Sequence, residues 1–236
     1  MRLAAGLFAS VWLFMFSLHV RAYDAMEVAD GGSITGNVVF NGRVPIKTII
    51  PTKNADICGK KRKEPQVIVG PDKGVQDAIV YLEKVKKGKA WGEPTETPVL
   101  DQEHCVFKPK VQVIPVGPIA IVNSDPVLHN THGYYGKRTA FNLALPNKGQ
   151  RIEKPLKRPG LVKVDCDAHG WMLAHIYVAD NPYYAVTGED GMFTIDDIAP
   201  GDYTLVVWQK YTGPTKTAVT VAPKEMTEIT VELEKK

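Results

Sequence analysis

Over residues 23–236 no stretch holds helical periodicity for long; there are only short β-branched and aromatic runs, broken by Gly, Pro and Asn-Gly or Asp-Gly pairs. A backbone cut up in this way closes its hydrogen bonds between segments rather than within them, so the expected fold class is all-β. Strands are predicted over Gly32–Phe40, Val75–Val85, Val106–Val113, Pro118–Asn123, Leu161–Cys166, His175–Ala179, Met192–Ile195, Gly201–Trp208 and Thr227–Leu233. Asn41-Gly42 and Asp190-Gly191 mark tight turns. Lys86 to Pro98, rich in Lys, Gly, Pro and Thr, reads as a linker, and Asn181-Pro182 as a second boundary.

One loop carries chemistry. Cys166-Asp167-Ala168-His169-Gly170-Trp171-Met172 places a thiol, an imidazole and a thioether at the spacing C-x2-H-x2-M. Thiolate and imidazole with a weak thioether is the donor set of a blue copper centre, which needs one further histidine. His129, in Asn123-Ser124-Asp125-Pro126-Val127-Leu128-His129-Asn130, is the upstream candidate. Before the loop, Val162, Val164 and Cys166 share a parity, so the thiol continues an apolar face. A lone buried Cys or Met is usually core filling; the His at the third position and the second His upstream set this one apart. His132 is of opposite parity to His129 and reads as a neighbour or surface residue, and His175 as a solvent-facing or packed histidine, with ligation by either as the alternative. Trp171 either plugs the core or covers the site, and the edge of His169 is the expected electron exit.

The chain has three cysteines. Cys58 and Cys105 have no metal-type partner at short spacing and are paired as a disulfide, which leaves Cys166 as the single thiol. A bridge to Cys166 is the competing pairing and would remove the thiolate ligand. Residues 1–22 read as a secretory signal peptide: Arg2, an apolar run from Leu3 to Val20, then Val20-Arg21-Ala22. The rival reading is an uncleaved anchor. Cleavage removes Arg2 and Arg21, leaving 27 basic against 26 acidic residues, a charge of +1. Such a chain is no nucleic-acid binder by charge. An exported chain with a disulfide is expected in the periplasm or secreted, with no membrane span after cleavage. Basic runs at Lys60-Lys61-Arg62-Lys63 and Lys84 to Lys89 are solvated loops or a means of steering an acidic partner.

Several segments resemble known families. Ile34 to Gly42, Ala78 to Leu82, Tyr184 to Ile195 and Pro200-Gly201-Asp202-Tyr203-Thr204-Leu205-Val206-Val207 resemble the carboxypeptidase regulatory-like (prealbumin-like) sandwich. Gly117 to Asn123, His129-Asn130-Thr131-His132 and Pro159 to Cys166, followed by the C-x2-H-x2-M loop, resemble the cupredoxins, amicyanin and plastocyanin among them. These resemblances imply a regulatory-like sandwich over 31–90 with 182–236, and a cupredoxin-like Greek-key sandwich over 98–181 inserted into it or lying next to it. The first half of the usual cupredoxin sandwich is not legible in the middle segment.

The cupredoxin resemblance implies a mononuclear type 1 copper ion held by His129, Cys166, His169 and Met172. It implies that the Asn130 amide donates to the sulfur while the Asn130 side chain ties the ligand loops together, and that Asn123 and Trp171 lie close by. It implies a non-enzymatic electron carrier serving a c-type cytochrome or another copper protein. A weaker resemblance, in Cys166 to Gly170, is to superoxide reductase, which implies a mononuclear iron enzyme using His129, His132, His169, His175 and Cys166. A copper carrier or structural adhesion module is the third reading. Nothing resembles a hydrolase motif. N-terminal sequencing of the exported protein is expected to begin just after Ala22; a start at Met1 refutes cleavage.

Overall fold

The computed structural model describes residues 23–93 and 95–235, so the expected signal segment 1–22 lies outside the described residues. The protein is all-β. Its principal strands are β1 (Gly32–Val39), β2 (Ile79–Leu82), β3 (Val99–Glu103), β4 (Val106–Lys108), β5 (Val111–Pro115), β6 (Gly117–Asn123), β7 (His129–Tyr135) and β8 (Arg138–Leu145). They continue with β9 (Gln150–Leu156), β10 (Gly160–Cys166), β11 (Leu173–Ala179), β12 (Tyr184–Val186), β13 (Met192–Ile198), β14 (Gly201–Gln209), β15 (Gly213–Val221) and β16 (Met226–Glu232). A one-turn helix, α1, spans Ala55–Cys58. No helix among the described residues is long and apolar enough to cross a membrane.

Strands β3 to β11 form two facing sheets, ordered β4-β3-β6-β9 and β5-β11-β10-β7-β8. The flanking strands form two more, β12-β2-β14-β15 and β13-β1-β16. Each pair encloses its own core. Leu100, Phe107, Ile119 and Ile121 meet Val162, Val164, Ile176 and Val178 in one; Ile34, Val38, Phe193 and Ile195 meet Val80, Leu82, Leu205 and Val207 in the other. The chain leaves the outer sandwich after β2 and returns at β12, which pairs directly with β2 through Tyr184↔Tyr81. Both ends of the excursion are therefore clamped in one sheet.

Strict alternation shows why these sequences are strands. Along β1 the burial reads buried and half-buried in turn over eight residues, the period of a sheet with one face on a core. Six of these strands have no counterpart in the predicted set: β3, β7, β8, β9, β12 and β15. Outward positions in several of them carry Lys, Arg, Glu, Asn and Pro, as in Gln150-Arg151-Ile152-Glu153-Lys154-Pro155-Leu156 of β9. β8, β9 and β15 lie at sheet edges, where polar and charged residues block further pairing, so their apolar signal is thin. With them, residues 99–179 supply both sheets of the middle sandwich, including the half that the sequence did not show. The predicted strand Val75–Val85 is cut by Asp77 at φ 61°, and Val106–Val113 is cut between Lys108 and Val111.

The two sandwiches pack through aromatic side chains. Tyr81 of β2 stacks on Tyr177 of β11 with 4.3 Å between ring centroids, and His175 of β11 packs on Trp208 of β14 at 4.8 Å. Burial, with Lys210 and Lys163 nearby, lowers the His175 pKa to about 4. Between that value and its ordinary pKa near 6.5, the unfolded chain binds a proton that the folded one excludes. The stability His175 contributes is present above about pH 6.5 and drains away as pH falls toward 4. His175 should account for roughly 3 kcal/mol of the stability that metal-free protein loses in denaturant melts over that window, and His175→Gln should make the loss shallower; an equally steep curve in the variant would refute the assignment.

Candidate metal centre

Three donor side chains meet at one end of the middle sandwich. Cys166 ends β10, where Val162 and Val164 are fully buried and Lys163 between them is exposed, so the alternation carries the thiol inward. His129 opens β7, two strand positions from the Thr131↔Cys166 pair that joins β7 to β10. Gly133 keeps β7 close to its neighbour, because a Cβ there would run into the Phe141 ring. His169 follows in the loop, whose turns are set by His169 N–H donating to Cys166 O (3.2 Å) and Met172 N–H to His169 O (3.0 Å). His129, Cys166 and His169 are each at most 1% exposed.

Their donor atoms form a compact triangle. Cys166 Sγ lies 3.8 Å from His129 Nδ1 and 3.7 Å from His169 Nδ1, and the two Nδ1 atoms are 3.1 Å apart. A point equidistant from all three lies about 2.1 Å from each, within the ~2.0–2.3 Å range of metal bonds to imidazole nitrogen and thiolate sulfur.

Both imidazoles are committed through their other nitrogens. His129 Nε2 lies 2.8 Å from Asp125 Oδ2, and His169 Nε2 lies 3.0 Å from Asn54 Oδ1. Each partner oxygen accepts only, so each Nε2 carries the proton and each Nδ1 a lone pair. Once the thiol gives up its proton, two lone pairs and a sulfur face one another across 3.1 to 3.8 Å, shut away from water, an arrangement that a cation between them would stabilise. The donor set fits a soft, imidazole-binding metal ion.

Asp125 organises this end of the fold. It also accepts from the His104 amide (2.7 Å) and the Cys105 amide (2.8 Å). Those two residues form the tight turn between β3 and β4, both in the left-handed region at φ 53° and 54°, which aims their N–H groups at one acceptor. Burial alone would raise the carboxyl's pKa, but the Cys105 amide, His129 and the His104 amide together hold it below the usual range. Asn123, fully buried, receives the Asp125 amide on Oδ1 and donates Nδ2 to Val127 O and Leu145 O, fixing the loop between β6 and β7.

Burial raises the Cys166 thiol pKa, opposed by the amides of Asn130, His169 and Ala168. Burial lowers the His169 pKa to about 4, helped by His129 and Lys53, so that imidazole is neutral and free to donate its lone pair at neutral pH.

The Asn130 amide lies 3.4 Å from Cys166 Sγ and donates to it. Its side chain does not tie the ligand loops together: Nδ2 donates to Asn142 Oδ1 on β8, and the tie is the backbone bond from Asp167 N–H to Asn130 O. Met172 is 3% exposed and packs in the same apolar cluster as Cys166. The Trp171 ring lies 5.1 Å from that of His169. His132 and His175, read from the sequence as a neighbour or surface residue and a solvent-facing or packed one with ligation as the alternative, stand apart from the triangle. His132 faces the other side of β7, bonded to Asp167, Tyr134 and Thr139. His175 lies at the sandwich interface, against Trp208. The set of four histidines and one thiolate is therefore not assembled.

The edge of His169 is not exposed, contrary to expectation. A segment from outside the middle sandwich covers it. Asn54, at φ 49° and ψ 44°, caps α1 in a left-handed conformation that asparagine tolerates. Four residues on, Cys58 is bridged to Cys105 at the β3–β4 turn. Cys105 lies within 4.8 Å of donor atoms on both His129 and His169, so the disulfide fastens the cover beside the centre. Asn54 carries no sequence signal, being 115 residues from His169.

A sequence family described as polysaccharide lyase family 4, domain II, matches residues 160–229. That span runs across parts of both sandwiches. No curated protein matches the chain. Solved structures similar to part of it include a copper-containing nitrite reductase from Thermus scotoductus, at 22% identity and TM-score 0.32, covering 39% of this chain and 25% of that one. A purple cupredoxin from Nitrosopumilus maritimus is similar at 24% identity and TM-score 0.31, covering 35% of this chain and 99% of that one. Amicyanin from Paracoccus versutus is similar at 17% identity and TM-score 0.33, covering 36% and 84%. This chain thus spans only a quarter of the nitrite reductase. Likenesses at these scores carry no weight for function, and the chemistry of the centre rests on its own geometry.

Removing the Asp125 charge frees the His129 tautomer and leaves two turn amides without an ionic acceptor. Asp125→Asn should bind copper 10- to 100-fold more weakly, measured by competition with a chelator of known affinity; unchanged affinity would show that Asp125 plays no part in holding His129.

Proposed function

We propose that this protein is an exported, mononuclear type 1 copper protein that passes single electrons between redox partners, a carrier rather than an enzyme. The observation that supports this reading best is the triangle of Cys166 Sγ, His129 Nδ1 and His169 Nδ1, with both Nε2 atoms already bonded. Two imidazoles and one thiolate, with the Met172 thioether buried in the same cluster as Cys166, would favour copper over zinc, which prefers four strong tetrahedral donors.

Bound copper, alternating between Cu(I) and Cu(II), supplies the one-electron chemistry. The protein's part is to keep the donors still. Asp125 and Asn54 fix the two rings, and the Asn130 amide donates to the sulfur, drawing off thiolate charge. Donors so fixed need little rearrangement between oxidation states. Burial of all three donors excludes water and small substrates, which suits electron passage and disfavours chemistry on a bound molecule.

Two further features agree. The Cys58–Cys105 disulfide suits the periplasm or another oxidising space. A buried thiolate also argues against a copper carrier, which must release its ion. The partner proposed is a c-type cytochrome or another copper protein. Cu(II) added to metal-free protein should produce the intense thiolate-to-copper charge-transfer band, and Cys166→Ala should abolish it. A colourless copper adduct of the unaltered chain would refute the reading.

A further inference from the structure

Beside the metal centre lies a cleft whose charge the proposed function does not use. Lys47, Arg62, Lys110 and Lys210 line it, with one carboxylate, Glu64, among them. Glu64 is taken up by Arg62 at 2.7 Å and Lys110 at 3.2 Å; Lys47 and Lys210 have no ion-pair partner among the described residues. Burial, then repulsion from Lys110 and Lys47, depresses the Lys210 pKa, while Glu64 and Asp77 oppose the shift. The cations outnumber the local carboxylates.

The same cleft is lined by Trp171, whose ring lies 5.1 Å from that of His169. The Trp171 indole N–H is buried and has no hydrogen-bond partner. Asn54 covers the edge of His169, whereas Trp171, like its neighbour Met172, lies beside the centre on one side and lines the basic cleft on the other. The cleft encloses only about 40 Å³, room for about one water. That is too little for an organic ligand, so a partner would bear on the charged rim of the cleft rather than enter it.

We propose that an acidic redox protein docks on this basic face, with its carboxylates against Lys47, Arg62, Lys110 and Lys210 and its redox group opposite Trp171. This rests on the electron-carrier reading. In each encounter one electron leaves the reduced centre and the partner's oxidised metal gains it, with no proton moving. Charges of this kind steer the encounter and are screened by salt, since the Debye length falls to about 8 Å at physiological ionic strength.

Docking can be tested without metal. Hexaglutamate titrated into the metal-free protein should shift the amide resonances of Trp171 to Leu173 and of Lys210. The affinity should fall roughly tenfold when salt is raised from about 20 to about 200 mM. Lys47 is exposed and unpaired, and Lys47→Glu should weaken binding at least fivefold, while Lys84→Glu, in the other basic run, should not. Shifts centred on Lys84 to Lys89, or equal losses in both variants, would overturn the docking face even if the coloured centre forms. In the copper-loaded protein, Lys47→Glu should slow oxidation by hexacyanoferrate(III) and speed oxidation by the cationic tris(phenanthroline)cobalt(III); equal effects on both would also overturn it. Hexaglutamate binding at Trp171 in a chain that never forms the coloured centre would instead refute the electron-carrier reading alone.

Discussion

One carboxylate holds the metal end of this molecule together. Asp125 accepts from two consecutive amides in the β3–β4 turn and from His129 Nε2. Hydrogen bonds to a charged group contribute about 1.5–3 kcal/mol each, while each left-handed non-glycine residue costs of order 1–3 kcal/mol. The two bonds from the turn amides are of the same order as the strain of His104 and Cys105 and offset it. The turn's tip carries Cys105, whose bridge to Cys58 sets Asn54 over His169. Both histidines are thus oriented, directly or through the disulfide, from the same acceptor.

The donors are held from behind. The two Nδ1 atoms lie 3.1 Å apart, and Nε2 bonds and packing keep the rings there. The core residues of β6, β10 and β11 are fully buried, and close-packed interiors do not yield gradually. A site kept in one shape by its surroundings does not need to change shape when its charge changes.

Much of this was legible in the sequence, for reasons that differ by residue. Strands with strong apolar alternation, such as β1 and β10, and the apolar run of β14 could be read directly, and so could the parity that turns Cys166 inward. His129 and His169 were readable from donor chemistry and spacing. The strands β7, β8, β9 and β15 were not, because polar outward positions dilute their period. Asn54 could not be read at all. Its contact with His169 depends on a disulfide and on the packing of two sandwiches, neither of which leaves a local trace. Asp125 was visible only as part of a family motif; its four-residue spacing from His129 says nothing about the turn amides it also holds. The side chain of Asn130 and the edge of His169 were misjudged for a shared reason: Asn142 and Asn54, their actual neighbours, come from elements not foreseen beside them.

The cover over His169 belongs to the chain before β2, while the donors it shields all come after β6. A centre closed by a foreign segment is sealed late in maturation, once the two regions have met and the cystine has formed. An ion held there would escape only by local opening of that tethered segment, so its retention would depend on the rate of opening as well as on affinity. Without the segment the same three donor side chains would remain and the latch would be lost.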